Sequence, residues 1–444
     1  MNIIKIGGAV LRNKEGFFQM LEIIKEYRNE PLLIVISAFS NATRMLGKAA
    51  SIAASGELQT AKNILMSIKQ THINYTNELL NNSVHIRHLN EAFTEGENKI
   101  LDYLKGLSIT RELTPRTKDA ILSYGEYFAL ITVENFLREQ GKNIICIDST
   151  SVIVSDSNFG AATPMLTETK KKVQDIILPH LNNNSIVLTQ GFVARNIKGD
   201  ITTMGIESSN LTATLLAELL EAKELTFWTD VEGFRSADPK IVNNTKPIQE
   251  VNYETAYKLA VNGLKLVYPG MLDYAKQNNI KLRYRSALTP NGYSTVISIN
   301  AKALSTPVFL LMENLVKYNY QFYSEELREQ IAKHFLEEHS AVQNIFHYEL
   351  REDSLIIYSG SAIPDLLKNF HTLEPVTEQN CSAITVFNLS SAQIQTCMQT
   401  ITQNIFFGDI FDIVVNRSNQ SLQIFCNGPS ASAILNLLHS AVNG

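Results

Sequence analysis

Cysteine, tryptophan and long apolar runs are all scarce in this chain. Its 444 residues include one tryptophan and four cysteines, Cys146, Cys381, Cys397 and Cys426, with no CxxC spacing and no histidine-rich neighbourhood. A disulfide framework and a structural zinc site are therefore not expected, and a reducing cytoplasm is the expected location. No apolar run approaches the roughly 18 residues that span a bilayer, and Met1 leads straight into a strand, so neither a membrane anchor nor a signal peptide is expected. A dominant charge is missing too: 39 basic residues stand against 44 acidic ones, a net charge of −5 without a basic block. That balance argues against nucleic acid or an anionic membrane as the main partner. What the chain does have is 45% hydrophobic and 19% charged residues, enough to bury a core and unlike a disordered or fibrous protein. At about 150 residues per domain the length implies two to three domains.

The first 300 residues alternate strand and helix patterns. Apolar runs suited to buried parallel strands lie at Ile3–Ile6, Leu32–Ile36, Asn143–Ile147, Ile186–Gln190, Leu225–Trp228 and Leu282–Tyr284. Helical spacing occupies Phe17–Tyr27, Thr117–Leu137, Lys170–Leu181, Asn210–Leu220 and Ala256–Val261, which predicts an α/β fold with a mostly parallel sheet covered on both faces. From Met45 to Leu104 only helical spacing occurs, an excursion between the second and third strands that would either close over a ligand or simply pack. The texture changes near Ser305. Strands at Val308–Leu311, Leu355–Tyr358, Ala383–Phe387, Asp412–Val415 and Leu422–Cys426 alternate with helices at Ser324–Glu338, Ser391–Thr402 and Ser430–Val442. The reading is a domain over 1–304 followed by two small α+β modules over 305–444.

Candidate chemistry sits at the turns after strands. Lys5-Ile6-Gly7-Gly8 closes the first strand with a cation and two residues without a Cβ. Backbone N–H groups can approach an anion closely there, although many α/β folds have such a turn and this one is neither a Walker A nor a GxGxxG sequence. Gly205-Ile206-Glu207-Ser208-Ser209-Asn210 precedes a good helix, as an N-cap or as an anion site on the helix end. Trp228-Thr229-Asp230-Val231-Glu232-Gly233 and Ala237-Asp238-Pro239-Lys240 follow a strand as polar loops, and Lys265 follows a helix, where a lysine ordinarily satisfies the last carbonyls.

Taken in order, these segments resemble the aspartate kinases of the amino-acid kinase family. The resemblance is carried by Lys5-Ile6-Gly7-Gly8, Ser37-Ala38-Phe39-Ser40-Asn41-Ala42-Thr43, Thr114-Pro115-Arg116 leading to Ser123-Tyr124-Gly125-Glu126, Thr189-Gln190-Gly191-Phe192, the two polar loops, and Gly263-Leu264-Lys265-Leu266-Val267-Tyr268-Pro269. It covers about residues 1–300, and the C-terminal modules are similar in topology and position to the paired ACT (ferredoxin-like) domains of that family. The resemblance implies a three-layer sandwich and transfer of the ATP γ-phosphoryl group to the side-chain carboxylate of L-aspartate, giving 4-phospho-L-aspartate, the first step toward lysine, threonine and methionine. It also implies catalytic roles for Lys5, Gly7 and Gly8, and acceptor contacts from Ser37, Thr43, Glu126, Ser209 and Asn210. Thr229, Asp230, Arg235, Lys240 and Lys265 would serve the nucleotide. Mg²⁺ would arrive with ATP, without a dedicated protein cage.

The chain departs from the family pattern at the first turn, with Ala9-Val10 for the usual Thr-Ser, at Arg235 and Lys240, which stand where tyrosine and arginine are usual, and most of all at one further turn. Where the family has Gly-Arg-Gly-Gly-Ser-Asp, this chain has Ile206 for the arginine, Glu207-Ser208 for the glycine pair and Asn210 for the aspartate. Losing a bidentate arginine grip on a carboxylate removes about 1.5–3 kcal/mol. Three readings follow: an aspartate kinase with altered acceptor contacts, a kinase for another carboxylate or carbamate, and a non-catalytic amino-acid or nucleotide sensor. The ACT-like modules would pair subunits into a homodimer or larger homo-oligomer. An amino-acid effector is a further implication, although Tyr318–Ser324, the expected place of its loop, has no recognisable ligand pattern.

Overall fold

The computed structural model describes residues 1–27, 30–39, 41–183, 185–205, 208–338, 345–360, 375–404, 408–416, 418 and 420–443. They fall into two compact units. The first comprises Met1–Phe234, Gln249–Tyr253 and Tyr268–Ala301, and the second Arg235–Ile248, Glu254–Val267 and Lys302–Gly444.

Strands in chain order are β1 (Asn2–Ile6), β2 (Leu32–Ile36), β3 (Ile144–Cys146), β4 (Val154–Ser155), β5 (Ile186–Gln190), β6 (Val193–Asn196), β7 (Ile201–Thr203), β8 (Glu224–Thr229), β9 (Phe234–Arg235), β10 (Pro247–Ile248), β11 (Glu250–Val251), β12 (Lys281–Ser286) and β13 (Thr295–Ile297). Among the described residues the first unit has an eight-stranded sheet ordered β11-β13-β12-β8-β1-β2-β5-β3, with β4, β6 and β7 in a small sheet beside it. Only the β12–β13 pair of the large sheet is antiparallel. Every residue of β2 is buried, as a strand covered on both faces requires. The expected strands all form, and the mostly parallel three-layer reading holds.

Helices α1 (Lys14–Glu26), α2 (Ala42–Ala54), α3 (Leu58–Leu79), α4 (Ser83–Thr110) and α5 (Pro115–Glu139) pack together. Their apolar faces share one core with Ile4, Ile6, Ile34 and Ile36. After α6 (Leu166–Lys172) and α7 (Leu178–Asn182), α8 (Ser209–Leu219) packs against β1, β2 and β8. Helix α5 starts where it does because the Thr114 side chain accepts from the Thr117 N–H and Pro115 takes the first helical position, where no amide hydrogen is needed.

His72 sits in the helical excursion, buried, with its ring stacked on Phe39 at 5.5 Å and edge-on to Phe93 at 5.2 Å and Phe128 at 5.4 Å. Its Nδ1 meets the Ile68 carbonyl at 2.8 Å, and its Nε2 has no partner among the described residues. Burial pushes its pKa down to about 4. The folded chain therefore keeps the ring neutral where the unfolded chain, near pH 6.5, takes a proton. Stability is complete above that pH and is lost as the pH falls toward 4, by about 3 kcal/mol from this residue. In His72→Phe, chemical unfolding at about pH 7 and pH 4.5 should show an acid loss smaller by about that amount.

The second unit contains α9 (Tyr253–Val261) beyond its first residue, followed, after α10 (Leu272–Gln277) of the first unit, by β14 (Val308–Gln321), α11 (Glu325–Glu338), β15 (Ile345–Leu350), β16 (Ser354–Ser359), β17 (Val376–Phe387), α12 (Ser391–Gln403), β18 (Ile410–Asn416), β19 (Ser421–Asn427) and α13 (Gly428–Asn443). The described strands form one antiparallel sheet ordered β15-β16-β14-β17-β19-β18. Two long strands, β14 and β17, serve both α+β modules, with register shifts between Met312 and Lys317 where one module gives way to the other. Period-2 alternation sends Leu355 and Ile357 to the core with Ile331 and Phe335, and Ile356 and Tyr358 to a separate core with Phe425. Tyr318–Gln321, in the segment where an effector loop was expected, lies in β14 and pairs with β16, and through Asn319 also with β17. Both edges of the strand are engaged up to Asn319, whereas Tyr320 and Gln321 are paired on the β16 side alone among the described residues.

Candidate active site

The parallel register aligns the carboxyl ends of β1, β2, β5 and β8: Ile6 lies beside Ile36 and Trp228, and Ile36 beside Gln190. Ligands of open α/β sheets bind beyond such ends. The turns there are locked to one another by the Gly7 N–H donating to the Trp228 carbonyl at 3.0 Å and the Gly191 N–H to the Ile36 carbonyl at 2.9 Å.

The two glycines after β1 have different reasons to be glycine. A Cβ on Gly8 would stand 2.0 Å from the Ala38 carbonyl oxygen, so the loops after β1 and β2 touch backbone to backbone. A Cβ on Gly7 would meet the Trp228 carbonyl at 3.5 Å and Lys5 Nζ at 3.8 Å, ordinary contacts that nonetheless fill space beside the ammonium. Gly8→Ala should cost about 1–3 kcal/mol or more through overpacking, read as a lowered melting midpoint. Gly7→Ala should melt near the wild-type temperature yet lose turnover.

Glu126, from α5, is 4% exposed. Its Oε1 accepts from Ser209 Oγ at 3.4 Å, and Oε2 has no partner among the described residues. Burial raises its pKa to about 8, against the opposing pull of the Lys5 ammonium, the Ala38 N–H and the Ser209 hydroxyl. A carboxyl group in this state gains a great deal from a cation delivered to its bare oxygen. Thr43, in the first turn of α2, lies against α5 so closely that a Cβ on Gly125 would come 2.9 Å from its Oγ1. Ser209 is similarly pressed on the turn after β5: a Cβ on Gly191 would come 2.6 Å from its Cα.

The structure thus gathers Lys5, Gly7, Gly8, Glu126 and Ser209, with Thr43 beside Gly125 of the same helix. Ser37 follows β2 and Asn210 is the second residue of α8, both half-buried. Ser208 holds the N-cap position of α8 but makes no side-chain cap, because its backbone (φ −70°, ψ 0°) is outside the extended region a capping residue needs. Its hydroxyl is fully buried and unpartnered among the described residues. Ile206 and Glu207 lie outside the described residues.

Thr229 ends β8 and folds on itself, its hydroxyl donating to the Val231 carbonyl at 2.8 Å, with half-buried Asp230 next to it in the same unit. Arg235, Lys240 and Lys265 belong to the second unit. There the Arg235 guanidinium donates to the Thr245 carbonyl at 2.7 Å, the Lys240 N–H to Asp238 at 2.9 Å, and Lys265 pairs with Glu313 at 3.1 Å on the surface. No cluster of three or more metal-ligating His, Cys, Asp or Glu side chains occurs among the described residues. At the first-unit site the Lys5 ammonium suits a phosphate oxygen, while the Gly7 N–H is already engaged by the Trp228 carbonyl.

Sequence reading placed Asp119 in the stretch that leads to Glu126 but gave it no role; its buried carboxylate accepts from Gly160 and Thr203. The signal was present: Asp119 precedes Glu126 by two helical turns on one face.

The amino acid kinase family model matches residues 1–285. The lysine-sensitive aspartokinase 3 of Escherichia coli is 29% identical over 301 residues, 66% of this chain and 63% of that protein. Chloroplastic aspartokinase 3 of Arabidopsis thaliana is 27% identical over 69% of this chain and 55% of its own length. The chain thus spans little more than half the length of these relatives, whereas a Chlamydia pneumoniae aspartokinase, 25% identical, aligns over 99% of this chain and 97% of its own. Among solved structures, E. coli aspartokinase III in complex with aspartate and ADP superposes with a TM-score of 0.84 over the whole of both chains at 21% identity, a likeness of fold.

Proposed function

The chain belongs to the amino acid kinase family, and from that premise we propose that it transfers the γ-phosphoryl group of ATP to the side-chain carboxylate of L-aspartate, forming 4-phospho-L-aspartate and ADP. The observation that carries the reading is Glu126: a buried carboxyl group with one bare oxygen, set near Lys5 at the carboxyl end of a parallel sheet. The α-ammonium of an amino acid fits that oxygen. Lys5 fits the charge that moves with the phosphoryl group.

In this reading Lys5 neutralises the transferred group. Gly8 brings backbone close to it, and Gly7, whose N–H is already engaged by Trp228, keeps room for the ammonium. Ser37, Thr43, Glu126, Ser209 and Asn210 hold the amino acid. By the resemblance, Thr229 and Asp230, and separately Arg235, Lys240 and Lys265, serve the nucleotide. Mg²⁺ carried on the nucleotide would neutralise its phosphate oxygens, and the protein contributes positioning and charge rather than covalent chemistry.

Residues 1–304 are read as the catalytic domain and 305–444 as ACT-like modules that pair subunits; light scattering of the full chain should give a dimer or larger. A reducing cytoplasm suits the four free cysteines. Purified protein with ATP, Mg²⁺, L-aspartate and hydroxylamine should accumulate the hydroxamate of the acyl phosphate. No hydroxamate above the ATP-free background would reject aspartate as acceptor, and a parallel screen of carboxylates and carbamates for ADP release would then identify the replacement.

A further inference from the structure

Asp119 and Glu126 are seven residues apart on α5, about 10 Å along one face of the helix. Asp119 is 1% exposed. Its Oδ2 accepts from the Gly160 N–H and the Thr203 N–H, each at 2.8 Å, and its Oδ1 from the Thr203 hydroxyl at 2.8 Å. Thr203 is the last residue of β7, and its carbonyl in turn accepts from the Ala162 N–H at 2.9 Å. Gly205 follows with φ +93°, and a Cβ there would lie 3.8 Å from the Gly160 carbonyl oxygen. Two helical turns along, Glu126 meets Ser209, the first residue of α8. One face of α5 therefore grips the chain at Thr203 and again at Ser209, on either side of the turn where this chain departs most from its family.

A buried carboxylate is tolerated because three donors replace its water, and those donors are left bare if it is removed. We propose that Asp119 is a positioning residue for the acceptor: it holds the end of β7 and the Gly160 loop against the helix face that presents Glu126. The proposal rests on the acceptor reading above. Its geometry asks for shape rather than charge. An asparagine can accept both N–H groups through its oxygen and donate its amide to the Thr203 hydroxyl, so Asp119→Asn should preserve the clamp, whereas Asp119→Ala removes all three bonds.

The test combines hydrogen exchange on the unliganded chain with steady-state kinetics. In Asp119→Ala the Gly160 and Thr203 amides should exchange at least about tenfold faster, and KM for L-aspartate should rise by about tenfold or more, the equivalent of a lost buried hydrogen bond. KM for ATP should stay within about twofold, and Asp119→Asn should stay within about threefold of wild type on every readout. Thr203→Val, which loses only the hydroxyl bond, should raise KM for L-aspartate by about threefold, and it decides the matter if the alanine variant does not fold. Unchanged exchange in Asp119→Ala, a parallel rise of both KM values, or an asparagine variant as impaired as alanine would overturn the proposal. Wild-type protein that makes no hydroxamate from aspartate overturns the acceptor reading and, with it, the aspartate KM arm; the exchange arm then decides the clamp alone.

Discussion

Lys5→Met is expected to lower kcat by about a thousandfold or more, the range measured when a preorganised charge or donor is removed from a phosphoryl or acyl transfer site. Lys5 lies one residue before the end of β1, between Val35 of β2 and Phe227 of β8. A strand hydrogen-bonded on both sides fixes its Cα, and Gly7 adds no side chain beside its Nζ, where a Cβ would stand 3.8 Å away. That preorganisation makes the charge effective, because nothing has to reorganise as charge develops on the phosphoryl oxygens. A second consequence separates Lys5 from a generic phosphate ligand. The Lys5 ammonium is the largest influence drawing the Glu126 pKa down against burial. Without it Glu126 holds its proton to still higher pH, so KM for L-aspartate should rise in Lys5→Met and recover as the pH is raised. Kinetics from about pH 6.5 to 9.5 would show both effects. A variant retaining kcat within about tenfold of wild type would remove Lys5 from the mechanism.

Glu126→Gln should stabilise the protein while abolishing its chemistry. The folded carboxyl group titrates near 8, whereas an unfolded chain's glutamate titrates near 4.5. The folded state therefore binds the extra proton between those values. Stability associated with this group is complete below about pH 4.5 and is lost as the pH rises through 8, by roughly 3–5 kcal/mol. Glutamine mimics the protonated form, so the variant's gain in melting midpoint should be small near pH 5 and largest near pH 9. Amino acid binding acts oppositely: its ammonium favours ionised Glu126, so at about pH 7 each L-aspartate bound to wild type should release close to one proton. Calorimetry in buffers of different ionisation enthalpy measures that release. An equal gain in midpoint at both pH values, or binding without proton release, would mean that Glu126 is not the buried acid described here.

These two residues also show where sequence reading succeeds and stops. Lys5, Gly7 and Gly8 are contiguous and end an apolar strand, so their shared placement needs only local geometry. That Gly7 has already given its N–H to Trp228, and that Gly8 is glycine because of Ala38, needed the neighbouring strands in register. Glu126 was nameable from its resemblance to the family. Its bare oxygen and raised pKa were not, since burial by segments far apart in the chain raises the pKa, and Ser209, 83 positions away, meets only the other oxygen. Strand β15 escaped notice for a related reason: Ile345–Leu350 is a half-exposed edge strand carrying histidine and glutamate, without the apolar run that marks a buried one.

The amino-acid sequence by itself determined the alternation of strands and helices, the glycine turns and the order of the motifs, because apolar periodicity and backbone freedom act over a few residues. Only the tertiary structure decided which polar groups lose their water and which partners replace it, because desolvation depends on chain segments brought together from far apart. Asp119 illustrates the division: seven letters before Glu126 it is one more polar helix residue, and in the fold it is a buried anchor for a strand 84 positions away.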